Sequence, residues 1–221
     1  MPVDHLALAL AVTVRHDGHG GVADDLAAPE GLTAWVRQHE RALAEYGFVT
    51  ADEGDGRADP AHPAVAADPA DPAVLAAAVG VRTALRALFA RAVLPGAPSK
   101  ADAGRLPDAA AALERLNAAA ARVPVTHRLA WPADGPPAAG YAVAGRHTPA
   151  DLLAAALARA GMAFLAGPDR ARLRACPAPR CVRYFVQAHA RQEWCKPSCG
   201  NRARVARHHA RQRARTADDP N

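Results

Sequence analysis

The hydrophobic positions of this chain recur mostly every three or four residues, the period of an amphipathic helix. Leu32, Trp35, Val36, His39 and Leu43 keep that spacing across Pro29 to Tyr46, with Pro29 suited to a helix start and Gly47 to its end. The clearest stripe runs from Ala73 to Leu94. There Leu75, Val79, Leu85 and Phe89 fall at turn spacing, Arg82 and Arg86 flank them, and Pro95-Gly96 ends the run. Asp108 to Arg122 is an alanine-rich helix with Leu113 and Leu116 as its main apolar contacts. Thr148 reads as the cap of another helix, with Pro149 at its first position and Asp151 in its first turn. That helix buries Leu152, Leu153, Leu157, Met162, Phe164 and Leu165 until Gly167-Pro168 breaks it.

Other stretches follow different patterns. Val125 to Trp131 and Tyr141 to Ala144 are β-prone runs on either side of Pro132-Ala-Asp-Gly-Pro-Pro137, which predicts an antiparallel hairpin with a long loop. Leu6 to Val14 (LALALAVTV) is apolar with a β-branched end, and periodicity leaves a buried strand and a helical turn equally open. His16-Asp-Gly-His-Gly-Gly21 reads as a polar turn. Its two histidines and Asp17 lack a nearby ligand pair that would make them a second metal site. Thr50 to Pro72 is rich in Asp, Pro, Gly and Ala and reads as a loop, with Asp52, Glu53, Asp55 and Asp59 on a solvated face. The pattern as a whole predicts a mainly α fold with a small β-hairpin.

Composition narrows this picture. Half of the 221 residues are apolar but only 5% are aromatic, so the core is expected to consist of Leu, Val and Ala. The length suits one domain plus a small module. The division is expected near residue 167: a helical N-terminal domain over 1–167, a module over 168–216 and a disordered tail over 217–221. No run approaches 18 apolar residues, so no membrane span is expected, and Met1-Pro-Val-Asp-His5 lacks the basic start of a secretory signal. A cytoplasmic protein is the expectation.

The four cysteines carry the chemistry. Cys176-Pro-Ala-Pro-Arg-Cys181 and Cys195-Lys-Pro-Ser-Cys199 form two close pairs separated by thirteen residues. Two short loops of this kind supply four thiolates to one tetrahedral zinc. Two disulfides are the bland alternative, but a chain long enough for an apolar core and without a secretory signal has little need of them. Four cysteines leave no open coordination position, so the zinc is expected to be structural. His189, His208 and His209 stand close by, but the shell is already complete without them. Val182-Arg-Tyr-Phe-Val186 predicts a short strand, with Tyr184 and Phe185 facing opposite sides so that one covers the metal. Trp194 reads as a lid over it.

Charge then singles out the same region. Residues 170–215 hold 13 of the 27 Lys and Arg and a single acid, Glu193. From Gly200 the chain turns helical through Asn201-Arg-Ala-Arg-Val-Ala-Arg-His-His-Ala-Arg-Gln-Arg-Ala-Arg215. Val205, Ala206 and His209 are expected on its buried side. Arg204, Arg207, His208, Arg211 and Arg215 are expected on the other, as a basic stripe suited to phosphates and guanine edges. Asn201 would cap the helix or touch a base.

The residues Cys176 to Arg207, with Trp194-Cys195, Cys199-Gly-Asn-Arg202 and the Ala/Arg helix after them, resemble the CGNR zinc finger. The preceding body is similar to the ABATE domain that usually precedes that finger. The likeness lies in the order of parts: an opening Leu-Ala-Leu run ending in Thr13-Val14, then Leu26-Ala-Ala-Pro-Glu-Gly-Leu-Thr-Ala-Trp35, a long Arg/Leu helix, a late hairpin and a helix feeding the finger. The resemblance implies a bacterial, stress-induced transcription regulator. It implies zinc on Cys176, Cys181, Cys195 and Cys199 and DNA contact by the finger. The reading of the basic helix itself puts Asn201, Arg202, Arg204, Arg207, His208 and Arg211 at nucleic acid. The chain departs from the family in two places. The opening usually reads like Leu-Asp-Phe-x-Asn-Thr, and here Leu8 to Thr13 lack the Asp and the Asn, putting in question a ligand pocket there. The arginine-rich run before the tryptophan is here Ala190-Arg-Gln-Glu193.

The leading expectation is therefore a zinc-stabilised DNA-binding module on a helical effector or dimerisation domain. Symmetric DNA sites would call for a homodimer. RNA binding through the same patch, favoured by exposed Tyr184 or Phe185, is a second expectation. A protein-docking finger on a body that senses a small molecule is a third. No phosphate-cradling glycine loop, nucleophile elbow or paired carboxylates point to an enzyme.

Overall fold

The computed structural model describes residues 5–49, 71–102 and 104–217. The loop expected from Thr50, with its four acids, lies outside the described residues as far as Ala70, and so does the tail from residue 218. Among the described residues the fold is mainly helical with small antiparallel hairpins.

Three helices form the centre. α4 (Pro72–Ala92) packs on α5 (Ala109–Ala121) and on α6 (Pro149–Ala166), and α1 (Leu6–Ala11) closes against α4 and α6. Each of the three long helices has its cap. The Asp71 carboxylate accepts from the Ala73 amide at 2.8 Å, Asp108 accepts from Ala110 and Ala111 at 2.9 Å, and Thr148 Oγ1 accepts from the Asp151 amide at 3.1 Å. The abundance of alanine allows close approach. At Gly161 a Cβ would sit 2.4 Å from Leu85 Cδ2, so α6 touches α4 backbone to side chain. α4 and α6 are long and apolar enough to cross a membrane by length and composition alone, although charged residues interrupt the apolar run in each. Both are largely buried among the other helices, as core helices of a soluble protein are.

The opening LALALA is a helix rather than a strand. Leu6, Ala7, Leu10 and Ala11 are all buried, which a two-residue period cannot achieve, and both residue types are strong helix formers. After it, β1 (Val14–His16) pairs with β2 (Val22–Asp24) around the expected polar turn, in which Asp17 Oδ1 accepts from the amides of His19, Gly20 and Gly21. The helix expected over Pro29 to Tyr46 is two, α2 (Pro29–Gln38) and α3 (Glu40–Ala44). His39 breaks it: its ring stacks on Trp35 at 4.4 Å and its Nδ1 hydrogen bonds the Trp35 carbonyl at 2.8 Å. The predicted hairpin is present as β3 (Val125–Ala130) and β4 (Ala138–Val143), and most of it faces solvent.

Two arginines of α4 are buried as ions with partners. Arg82 grips both carboxylate oxygens of Asp24 at 2.5 and 2.6 Å and donates to Thr13 Oγ1 at 2.9 Å. Burial is the strongest single influence and opposes the Asp24 charge, but the Arg82 hydrogen bonds, the Leu26 amide and the charges of Arg82 and Arg86 together outweigh it and hold the carboxyl below its usual range. Arg86 donates from Nε to Asp102 at 2.8 Å and from its other nitrogens to the Ala11 carbonyl at 2.6 Å and Ser99 Oγ at 3.1 Å. Neither guanidinium is left without partners, which is the condition for burying charge.

The C-terminal module begins inside this core. A 3-10 turn (Pro168–Arg172) follows α6, then β5 (Leu173–Ala175) pairs antiparallel with β6 (Tyr184–Val186). Leu173 and Tyr184 are buried with the helices of the body, and the Tyr184 ring meets Phe89 edge to face at 5.5 Å. Phe185, one residue on, is buried with the cysteines instead.

Candidate metal centre and basic helix

Two short turns build the centre. In the first, the Cys181 amide donates to the Ala178 carbonyl at 3.1 Å, which folds Cys176 and Cys181 towards one another. Lys100 of the body steadies this loop by donating to the carbonyls of Ala178 at 2.8 Å and Pro177 at 3.3 Å. In the second, the Cys199 amide donates to the Lys196 carbonyl at 3.0 Å as α7 (Pro197–Ala217) begins. Cys199 thus lies in the first turn of α7.

The four sulfurs converge within 4.8 Å of one another, with Cys181 and Cys195 at 3.7 Å and Cys195 and Cys199 at 3.5 Å. Zinc–sulfur bonds of about 2.3 Å in a tetrahedron require sulfurs about 3.8 Å apart. The donor set therefore fits a zinc ion, and none of the four cysteines is in a disulfide. The centre is that of one structural zinc: four thiolates close the shell and leave no position for a substrate. Crowding drives the thiols apart in acidity. Cys181 and Cys195 hydrogen bond the Cys176 sulfur and bring its pKa down to about 2, while the same contacts with Cys176 push Cys181 and Cys195 up. A divalent cation removes this difference, because a coordinating thiol is deprotonated outright.

The surroundings of the sulfurs are supplied by the nearby chain. Phe185 and Ala178 are buried against the cysteines and Trp194 packs over them, as expected of a lid. Gly200 makes room for that indole: a Cβ there would lie 3.0 Å from Trp194 Cδ1. Its role is close approach, since α7 already runs through it. Arg202 donates to Cys199 Sγ at 3.0 Å and is half-buried. It therefore lies against the metal centre, although expected among the contacts to nucleic acid.

The remaining predicted contacts fall on the exposed side of α7. Asn201, Arg204, Arg207, His208 and Arg211 are all exposed, and Arg204 donates to the Asn201 side-chain oxygen. Asn201 lies inside α7 and so does not cap it. The buried side differs from expectation. Val205 is 56% exposed and His209 is exposed, whereas Ala203 is 5% exposed and Ala206 half-buried. Cys199 sets the phase of the helix: residues three, four and seven positions further on, 202, 203 and 206, share its face, and Val205 does not.

Several residues that position the centre carry no signal in the sequence. Ser99 Oγ donates to the Val182 carbonyl at 2.8 Å, Arg86 reaches the same carbonyl at 3.4 Å, and the Tyr184 hydroxyl donates to Asp102 at 2.7 Å. Burial and the Asp102 carboxylate beside it push the Tyr184 hydroxyl above its usual range. These contacts bind the first cysteine loop and β6 to the body. Only the fold brings residues 86, 99, 102 and 184 together.

Residues 4–168 match the ABATE family model, described as "putative stress-induced transcription regulator". The chain belongs to the ABATE family. Directly after the ABATE segment, residues 172–212 match the CGNR zinc finger, which covers all four cysteines and most of α7. No curated protein matches the chain. At the ABATE opening, where the Asp and Asn are missing, the Ala11 carbonyl meets Arg86 and the Thr13 hydroxyl meets Arg82.

Proposed function

We propose that this ABATE protein is a cytoplasmic bacterial transcription regulator, without catalytic activity, that responds to stress and binds duplex DNA through α7. The observation that carries the reading is the exposed stripe of Arg204, Arg207, His208 and Arg211 on a helix with no acid along its length. At 1.5 Å per residue α7 extends about 30 Å from the metal centre. A rigid helix of this kind fits the major groove, and arginines on it reach phosphates and guanine edges. Tyr184 is 1% exposed and Phe185 7%, so neither offers a stacking platform for single strands. That favours duplex DNA over RNA. The family description supports the regulatory reading.

The test is fluorescence anisotropy of the full-length, zinc-quantified protein with random duplex DNA at two salt concentrations. Tight binding with a steep salt slope is expected. Charge reversal at Arg204 and Arg207 should abolish it while zinc stays at one per chain. Unchanged affinity in that double variant overturns the reading, and preference for single-stranded RNA replaces it with the RNA one.

A further inference from the structure

α7 has a second charged side. Ala206, His209, Gln212 and Arg213 follow one another at helical steps and line a cleft of about 470 Å³, whose remaining wall is Arg180 of the first cysteine loop. No acid lines it. At about 100° per residue these positions lie roughly half a turn from Arg204 and Arg211, so a duplex held on the outer stripe leaves the cleft open.

Arg180 is the unusual member. Ala178 to Cys181 is a four-residue turn closed by the Cys181 amide on the Ala178 carbonyl, with Pro179 second and Arg180 third at φ 62°. Proline followed by a left-handed residue defines a type II turn, whose third position favours glycine or asparagine. A long cation stands there instead, in a conformation that costs any residue with a Cβ. Its side chain is exposed and makes no hydrogen bond or ion pair among the described residues.

We propose that this cleft is a seat for a phosphate group, held by Arg180, His209 and Arg213, separate from the DNA-reading stripe. Guanidinium groups meet phosphate oxygens with paired, charge-assisted hydrogen bonds, and the imidazole adds another donor. The phosphate comes from a free phosphorylated molecule or from the backbone of a second nucleic-acid segment. The proposal goes beyond the DNA-binding reading and does not depend on it.

Arg180→Gly makes a sharp test, because glycine is the residue that turn favours and the variant keeps its fold. The full-length, zinc-loaded protein is titrated at fixed pH with inorganic phosphate, and the His209 ring resonances are followed by NMR. In parallel, the Arg204→Glu/Arg207→Glu variant, with its outer stripe disabled, is titrated with a short duplex. A saturable His209 shift with phosphate, weakened about tenfold in Arg180→Gly at undiminished thermal stability, supports a seat for free phosphate. A shift only with the duplex, again lost in Arg180→Gly, supports a backbone seat. No saturable shift in either arm, or shifts that Arg180→Gly leaves intact, overturns the proposal. Failure of wild-type protein to bind duplex on the outer stripe overturns the DNA reading alone.

Discussion

The body closes its core with leucine, alanine, a buried Arg86–Asp102 pair and a buried Arg82 that reaches out to Asp24, whereas the finger closes around four sulfurs with Phe185, Ala178 and Trp194 for cover. Apolar burial scales with size, and the body has three long helices to bury. The finger is too small for that route and depends on a metal. The two regions should therefore fail for different reasons and under different conditions.

Removing zinc is the strongest way to separate them. Structural zinc contributes about 10–16 kcal/mol of apparent binding energy to a domain of this kind. A strong chelator should release the Trp194 packing, seen in its fluorescence, and much of the α7 helicity, while circular dichroism retains the helices of the body. A single joint melt would break the comparison. Acid should separate them in the same order. Protons compete with zinc for four thiols, so metal release, followed with a colorimetric chelator, should come first. The Asp24 carboxyl is lowered in the folded state. Its contribution is present above the ordinary aspartate pKa of about 3.9 and is lost only as pH falls through the lower folded value.

Asp102→Ala tests the contact between the regions. It strips Arg86 and Tyr184 of a buried partner and should cost about 3–5 kcal/mol, read as a lowered denaturation midpoint. Gly161→Ala acts on the body alone. The new methyl meets Leu85, which has no exposed surface to move into, and about 1–3 kcal/mol should be lost with zinc content unchanged. Gly200→Ala is the finger's counterpart and the mildest. The neighbour it displaces is one edge of a partly exposed indole, so a shift in Trp194 emission and a loss of about 0.5 kcal/mol are expected.

What the sequence made legible follows from range. The cap at Thr148, the α4 and α6 stripes, the β3–β4 hairpin and the cysteine set are all written within a few residues of where they act. The Arg86–Ser99–Asp102–Tyr184 cluster is spread over about a hundred positions, so local patterns do not show it. LALALA hid its helix because alternating Leu and Ala is apolar on every face. Val205 misled because hydrophobicity was read as burial, while the neighbouring anchor, Cys199, sets which side of α7 turns inward. Arg202 reads with the other arginines of the basic helix, and only its position one turn after Cys199 shows that it reaches the sulfur.

Tyr184 and Phe185, adjacent in the chain and facing two different cores, have a consequence for the order of synthesis. A nascent chain that has emerged only as far as α6 carries every helix of the ABATE body but lacks Leu173 and Tyr184, so Phe89 and Asp102 still want their partners. Growth to Val186 completes the body and, in the same step, lays down half of the zinc ligands. The second cysteine pair then arrives beside a first pair already fixed in place, and metal capture becomes the last event of folding, after the scaffold that aims α7 has formed.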